Sequence, residues 1–131
     1  MPSRDLQACD VRLREAYMRG KLKYERDMVG AVLVQTCTHR SVQEQQQLYA
    51  QGRTRPGLIV TQVDGVTKLS NHNYAPARAI DFCVTWGGKV SWQADDYGVA
   101  GPYFEAEGLV WGGSWPTFKD WPHVEMPPEW T

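Results

Sequence analysis

The sequence is poor in several features that would point to a function by themselves. Its 131 residues contain only three cysteines, Cys9, Cys37 and Cys83, which lie far apart in apolar stretches. The odd number and wide spacing argue against a disulfide framework and against a cysteine zinc knuckle. They favour buried free thiols in a protein made in a reducing compartment. Any metal ion must therefore be bound by other side chains.

An excess of charge and long apolar runs are also missing. The formal net charge is −1, so the composition does not predict a nucleic-acid-binding surface. No apolar run approaches the roughly 20 residues that a membrane span needs. The N-terminal sequence MPSRDLQACD lacks the apolar segment of a signal peptide. We therefore expect neither membrane insertion nor an export signal.

What the sequence does have is the composition of one ordinary folded domain. Hydrophobic residues make up 42% and charged residues 22% of the chain. A chain of this length holds one hydrophobic core. We expect a single domain over residues 1–131, with no room for a second one.

Hydrophobic periodicity predicts a mixture of helices and strands. In the first half we expect a helix over 6–20, capped by Pro2-Ser3 and followed by charged turns to Asp27, then a buried strand over 31–38 and a helix that is capped by Ser41 and ends at Gly52. In the second half we expect strands over 78–86 and 89–92, joined by Gly87-Gly88, and a helix over 93–107. From Gly108 onward, glycine turns alternate with aromatic strand residues. These elements predict an α+β fold in which a small antiparallel sheet packs against helices.

Two of the three histidines lie beside carboxylates in turn-rich segments. Residues 70–81 read SNHNYAPARAID, and residues 120–125 read DWPHVE. A catalytic zinc site takes three nitrogen or oxygen ligands and keeps one position open for water. His72, Asp81 and His123 supply such a set. Because two histidines this far apart are also common as ordinary core or surface residues, spacing alone leaves both interpretations open.

Four segments, in order, resemble the zinc D,D-peptidase family. This family includes the vancomycin-resistance D-Ala-D-Ala dipeptidases and carboxypeptidases and the phage L-alanyl-D-glutamate endopeptidases. Residues 70–81 resemble its S-x-H…A-x-D motif, and residues 120–123 resemble its E/D-x-x-H motif. Residues 38–61 (THRSVQEQQQLYAQGRTRPGLIVT) and 108–123 (GLVWGGSWPTFKDWPH) resemble stretches of the endopeptidase branch. The resemblance implies one zinc ion at the sheet face, held by His72, Asp81 and His123.

The resemblance also implies roles for residues around the metal. Asp120 is then the base that takes the proton of the attacking water and returns it to the leaving amine. Glu125 is the alternative base, or a partner that orients a ligand histidine. Arg40 matches the catalytic arginine that stabilises the developing negative charge. The alternative for Arg40 is a surface arginine paired with Glu44.

Further expectations concern the substrate cleft. Ser70 and Gln45 match positions that the family uses around its site, so we expect them to contact substrate. Trp115 and Trp121 flank turns and are expected in a cleft wall, although tryptophans are mostly core residues. His39 is expected to be structural or exposed, because on a strand it faces away from the residue that follows it.

One departure from the family pattern lies between the first two ligands. The family commonly places the aspartate seven residues after the histidine, with a glycine at the third position. Here His72 and Asp81 are nine residues apart, with Ala75 and Pro76 where that glycine would be. A two-residue extension of the loop accounts for the difference and leaves the fit of the substrate open. Asp64 is the fallback ligand in place of Asp81.

The implied function is hydrolysis of bacterial peptidoglycan. We expect a monomeric zinc endopeptidase of the phage-lysin type that cuts the L-alanyl–D-glutamate bond and has no separate wall-binding domain. Such a lysin is made in the host cytoplasm and acts on the wall after release, which agrees with the missing signal peptide. Two alternatives stay open: a D,D-carboxypeptidase or dipeptidase with the same metal site, and a zinc-binding module without activity.

Overall fold

The computed structural model describes residues 2–131, which form three α-helices and five strands. The helices are α1 (Val11–Asp27), α2 (Val42–Ala50) and α3 (Ala94–Glu105). The strands are β1 (Ala31–Cys37), β2 (Ala79–Trp86), β3 (Lys89–Val90), β4 (Val110–Trp111) and β5 (His123–Glu125). Short 3₁₀ helices lie at Leu6–Ala8, Asn71–Asn73, Gly112–Ser114 and Pro128–Trp130. The predicted α+β class is confirmed.

The strands form one antiparallel sheet in the order β1-β2-β5-β4. The short strand β3 pairs with the C-terminal end of β2. Gly87 and Gly88 connect these two strands with φ angles of 56° and 80°, which glycine adopts without steric cost. The predicted hairpin is therefore confirmed, but β3 ends at Val90 rather than at Trp92.

Helices α1 and α3 cover one face of this sheet. Tyr17 of α1 stacks on Phe104 of α3 at 5.2 Å between ring centroids, and Phe82 of β2 packs on the same Phe104 at 5.2 Å. The fully buried side chains of this layer include Leu13, Leu33, Ile80, Val84 and Val124. Because successive side chains of a strand point to opposite faces, Asp81 and His123 point away from the helices.

The first helix differs from its prediction at both ends. Asp10, not Ser3, caps α1 by accepting a hydrogen bond from the backbone N–H of Arg12. Gly20 lies inside the helix instead of ending it. A β-carbon at Gly20 would lie 2.7 Å from Cδ1 of Phe104, so this glycine permits the close approach of α3.

The second and third helices follow the sequence signals more closely. The capping box of α2 is present, with Ser41 Oγ accepting from the backbone N–H of Glu44 and Glu44 Oε1 accepting from that of Ser41. The helix ends at Ala50, just before the predicted Gly52. The third helix contains Pro102. It also contains Gly101, which packs so closely against the Trp111 ring that a β-carbon would not fit there.

The three thiols are free, as predicted, with Cys9 and Cys37 buried and Cys83 partly exposed. Within residues 2–131, no helix combines the length and the apolar character that crossing a membrane requires.

Candidate metal centre

The three predicted ligands meet on the face of the sheet that α1 and α3 leave open. Asp81 on β2 lies opposite His123 on β5 in the strand register. His123 Nδ1 is 2.9 Å from Asp81 Oδ1. His72, in the 3₁₀ helix of the long connection, places its Nε2 3.1 Å from the same oxygen. Two imidazole nitrogens thus converge on one carboxylate oxygen.

The backbone of β1 orients the His72 ring. His72 Nδ1 lies 2.8 Å from the carbonyl oxygen of Thr38. A carbonyl oxygen only accepts hydrogen bonds, so Nδ1 carries a proton, and Nε2 is the nitrogen that meets Asp81 and can bind a metal once it is deprotonated. The Sγ atom of Cys37 lies 3.7 Å from the same Nδ1. The ring itself is buried, with 2% of the residue exposed.

A carboxylate plays the equivalent part for His123. Its Nε2 lies 2.7 Å from Glu125 Oε1, on the same strand. This contact places a proton on Nε2 and leaves Nδ1 as the nitrogen that meets Asp81 and can bind a metal once it is deprotonated. The ring of Trp115 packs beside the imidazole, at 5.3 Å between centroids.

The buried carboxylate of Asp81 favours positive charge on the groups around it. Burial opposes a charged imidazole, but the Asp81 carboxylate outweighs it and raises the pKa of His72 to about 9 and that of His123 to about 10. Burial also opposes a charged Asp81, yet the two histidines hold the pKa of this carboxyl well below its usual range. Protons supply the balancing charge when the imidazoles are protonated, and a divalent cation supplies it when they are neutral.

The donor set fits a zinc ion. Zinc–ligand bonds of about 2.0–2.1 Å at tetrahedral angles separate neighbouring donor atoms by roughly 3.4 Å. The two nitrogen–oxygen separations in the cluster, 2.9 and 3.1 Å, are only slightly shorter. A small outward movement of the rings therefore admits the ion. Two imidazoles and one carboxylate are a catalytic zinc set, which leaves a position for water.

Asp120 lies close to the predicted ligands, with donor atoms of Asp81, Asp120 and His123 within 4.8 Å of one another. Its Oδ2 is 3.8 Å from His123 Nδ1, and 42% of its side chain is exposed. Partial burial raises the pKa of the Asp120 carboxyl. The backbone N–H of Asp120 donates to the Gly112 carbonyl at 3.0 Å. The two backbones lie so close that a β-carbon at Gly112 would not fit against Asp120.

Arg40 points into the site instead of into solvent. Its Nη2 lies 3.5 Å from Asp81 Oδ2, and only 12% of its side chain is exposed. Its Nη1 donates to Gln45 Oε1 at 2.8 Å. The guanidinium is therefore directed toward Asp81 and Gln45, and the surface-arginine alternative does not describe its position.

Gln45 differs from its expected role in substrate contact. It is fully buried, and its Nε2 donates to the Val63 carbonyl at 2.7 Å and to Thr61 Oγ1 at 3.3 Å. A side chain with these partners has no surface left for substrate. Gln45 instead holds Arg40 against the segment that precedes the first motif.

An open cleft of about 580 Å³ gives access to the cluster. Its lining includes all three ligands together with Arg40, Ser70, Trp115, Asp120 and Glu125. Trp121 does not line it, because its ring packs against Trp111 at 5.6 Å. Ser70 is also a cap, since its Oγ accepts from the His72 backbone N–H at 3.2 Å. His39 lies outside the lining, as expected, and its carbonyl accepts from Ser3.

The fallback ligand Asp64 is not part of the cluster. Its Oδ1 accepts backbone hydrogen bonds from Val66 and Thr67, both at 2.8 Å. Asp64 therefore closes a turn in the long connection, and the alternative assignment of Asp64 as the ligand in place of Asp81 is wrong.

The two-residue extension between His72 and Asp81 turns away from the cleft. Ala77 pairs with the N-terminal segment, donating to the Ala8 carbonyl at 2.8 Å and accepting from the Asp10 N–H at 2.9 Å. Arg78 lies over the ring of Tyr74 at 3.7 Å. None of these residues lines the cleft, so the extension does not narrow the space for substrate.

Three residues of the site were not predicted from the sequence. Asn73 accepts from the Ser70 N–H at 2.8 Å and donates to the Arg40 carbonyl at 2.9 Å, which ties the first motif to the arginine. Thr38 contributes only a backbone carbonyl, which carries no sequence signal. Cys37 lies within 4.8 Å of donor atoms of His72 and Asp81, but its position at the end of a strand resembles that of any buried thiol.

Comparison with known proteins identifies chains similar to this one. Residues 64–126 match the family described as D-alanyl-D-alanine carboxypeptidase. The chain is 38% identical over 109 residues to the peptidoglycan L-alanyl-D-glutamate endopeptidase CwlK of Bacillus subtilis (strain 168), a match that covers 76% of the chain and 63% of CwlK. The chain therefore spans less than two thirds of the length of this curated relative.

A solved structure shares the fold. The L-Ala D-Glu endopeptidase ChiX of Serratia marcescens matches with a TM-score of 0.72 at 22% identity, covering 97% of this chain and 89% of ChiX. The resemblance inferred from the motifs is confirmed by the family match and by the relative. His72, Asp81, Asp120 and His123 lie inside the span that the family matches, whereas Arg40 precedes it.

Proposed function

We propose that this chain, a relative of the D-alanyl-D-alanine carboxypeptidase family over residues 64–126, is a zinc-dependent endopeptidase that hydrolyses the L-alanyl–D-glutamate bond of peptidoglycan. The observation that carries the proposal is the convergence of His72 Nε2 and His123 Nδ1 on Asp81 Oδ1 in an open cleft. The choice of bond is supported by the similarity to CwlK, whose name states that bond.

When bound, a zinc ion supplies a Lewis acid and an activated water at this position. Asp120 takes the proton of the attacking water, and its raised pKa allows it to hold the proton until the leaving amine accepts it. Arg40, held by Gln45, faces the negative charge that develops on the former carbonyl oxygen. Thr38 and Glu125 keep both ligand imidazoles in the tautomer that presents a lone pair to the ion.

The test uses purified Gram-negative peptidoglycan and the Asp120→Ala variant. Loss of the base is expected to reduce kcat by roughly 10²–10⁴-fold without lowering the zinc content of the protein. Asp95→Ala, at an exposed position of α3, is the matched control and is expected to retain full activity. Mass spectrometry should find new C-terminal alanine and N-terminal glutamate in the digest.

Three results would contradict parts of this proposal. Full activity of Asp120→Ala would remove Asp120 as the base and leave Glu125. Activity that survives complete removal of metal with EDTA would remove the zinc. A digest without new alanine and glutamate ends would remove the bond assignment.

The second candidate is a D,D-carboxypeptidase or dipeptidase, which the description of the matching family favours. The same site serves it, because the chemistry at the metal is the same. Release of free D-alanine from a stem pentapeptide, without cleavage after L-alanine, would establish this activity. Stoichiometric zinc binding with no hydrolysis of either substrate would establish the third possibility, a zinc-binding module without activity.

We further propose that the protein is a monomeric phage lysin, made in the host cytoplasm and active on the wall after release. The support is the resemblance of residues 38–61 and 108–123 to the phage branch. CwlK and ChiX are bacterial proteins, so a bacterial wall-remodelling enzyme is the competing role. Expression in Gram-negative cells should lyse the culture only after the inner membrane is permeabilised, and lysis without permeabilisation would contradict the proposal.

A further inference from the structure

The cleft contains one cationic side chain that the proposed mechanism does not use. Within residues 2–131, Arg40 and Lys68 are the only lysine or arginine residues that line the cleft. Arg40 is engaged by Gln45 and Asp81. The Lys68 side chain is exposed and has no hydrogen bond or ion pair with any described residue.

A rigid turn fixes the position of Lys68 at the rim. The Asp64 carboxylate accepts from the backbone N–H groups of Val66 and Thr67 and from Thr67 Oγ1, each at 2.8 Å. The Gly65 N–H donates to the Lys68 carbonyl at 2.9 Å, which closes the turn. The backbone of Lys68 is therefore held two residues before Ser70, the residue that caps the His72 turn.

The substrate class of the proposed function carries a charge that matches this lysine. A glutamyl residue inside a peptide uses its amine and one carboxyl group in amide bonds, so its other carboxyl group stays free. In an L-alanyl–D-glutamate bond, this free carboxylate lies a few bonds from the nitrogen that leaves. The Asp120 and Glu125 carboxylates line the cleft beside the metal ligands, and each repels a substrate carboxylate that no cation faces.

We infer that Lys68 recognises the free carboxylate of the D-glutamyl residue and so favours substrates in which this group is not amidated. The inference rests on the proposed function, because it takes the glutamyl residue from the proposed bond. Lys68 acts on binding and takes no part in the bond-breaking step. An exposed ion pair of this kind supports a preference of about fivefold.

Two synthetic stem peptides test the inference, one with the free glutamyl carboxyl group and one with this group as a primary amide. We expect the wild-type protein to cleave the free acid with about fivefold higher kcat/KM, mainly through KM. In Lys68→Gln the two peptides should become equivalent, and in Lys68→Arg the preference should persist. Lys89→Gln, an exposed lysine of β3 outside the cleft, is the control and should keep the wild-type preference.

An unchanged preference in Lys68→Gln would overturn the inference while leaving the proposed function intact. Cleavage of neither peptide by the zinc-loaded wild type would instead overturn the proposed function. In that case the affinities of the two peptides, measured by calorimetry, test separately whether Lys68 binds the carboxylate. Tighter binding of the free acid that disappears in Lys68→Gln supports the carboxylate subsite, and equal binding by the wild type overturns it.

Discussion

His72 and His123 reach the same oxygen of Asp81 from two regions that are built differently. His123 lies on β5, and strand pairing with β2 alone places it opposite Asp81. His72 lies in a 3₁₀ turn of an irregular connection, where the Ser70 cap and the Thr38 carbonyl hold it. A ligand on a strand is positioned by the backbone ladder, whereas a ligand on a loop needs hydrogen bonds from several segments. Substitutions that change the support of one histidine and not the other test this difference in positioning.

Neutralising the carboxylate that both regions share should have the largest effect. Asp81→Asn replaces an anionic ligand by a neutral amide, so neither histidine retains a charged partner. We expect loss of stoichiometric zinc and of peptidoglycan hydrolysis, measured by metal analysis and by turbidity. Asp95→Asn, on the exposed surface of α3, should behave as wild type. Retention of one bound zinc by folded Asp81→Asn would contradict the ligand assignment.

Weakening the partner of His123 alone should have the next largest effect. Glu125→Gln leaves an acceptor near Nε2 but removes the negative charge that makes the imidazole a better donor to the ion. Zinc affinity should fall by about 10–100-fold, measured by competition with a chromogenic chelator. Glu129→Gln, at an exposed position near the C-terminus, is the matched control. Equal affinities for Glu125→Gln and wild type would show that strand pairing alone sets the His123 ligand.

The pH dependence of the metal-free protein reports on both histidines together. Their pKa values are raised to about 9 and about 10 in the folded state from about 6.5 in an unfolded chain. A group with a raised pKa stabilises the fold fully below its unfolded pKa, and this contribution is lost as the pH rises through the folded pKa. The free energy of unfolding in EDTA should therefore fall between pH 6.5 and 8.5, measured with urea.

Zinc should reverse the trend over the same interval. Because the ion competes with protons for the two imidazoles, its affinity should rise with pH. The lowered pKa of Asp81 has the opposite sign and matters only in acid, where its stabilising contribution is lost as the pH falls below about 4. Unfolding free energies in EDTA that stay constant from pH 6.5 to 8.5 would contradict the coupling between the histidines and Asp81.

Removing the cap of the His72 turn should have the smallest effect. Ser70→Ala deletes the acceptor of the His72 backbone N–H, which is worth about 1 kcal/mol of unfolding free energy at a helix N-terminus. Because the turn carries a ligand, zinc affinity should also fall by a few-fold. Ser3→Ala removes the acceptor of the Asp5 N–H, away from the cleft, and should leave zinc affinity unchanged. An equal affinity in Ser70→Ala would show that the Thr38 contact is sufficient.

The sequence predicted those parts of the fold that depend on local chemistry. The Ser41–Glu44 capping box and the Gly87-Gly88 hairpin need only a few neighbouring residues, and both are present. Gly20 was predicted to end α1 because glycine usually weakens a helix. The contact with Phe104 that retains it inside the helix comes from more than eighty residues away along the chain, so no local pattern contains it.

The residues of the site likewise divide into those that motifs in the sequence predict and those that only contacts between distant segments place. Motif order brought forward His72, Asp81, Asp120, His123 and Arg40, which the structure places around one cleft. The residues that hold them escaped prediction for different reasons. Thr38 acts through a carbonyl that every residue has, and Asn73 bridges two segments that are distant in sequence. Gln45 was expected near the site but in contact with substrate, and only the packing around it shows that it is buried.

The alternation of side chains along β2 constrains how this protein can change over evolution. Ile80 and Phe82 belong to the core, while Asp81 between them faces the cleft. Inserting one residue into this strand would exchange its two faces, destroying the core and the metal centre together. Insertions can therefore accumulate only in the connections, as the extension anchored by Ala77 illustrates. The rims of the cleft, including the turn that carries Lys68, are free to diverge while the cluster of His72, Asp81 and His123 stays fixed.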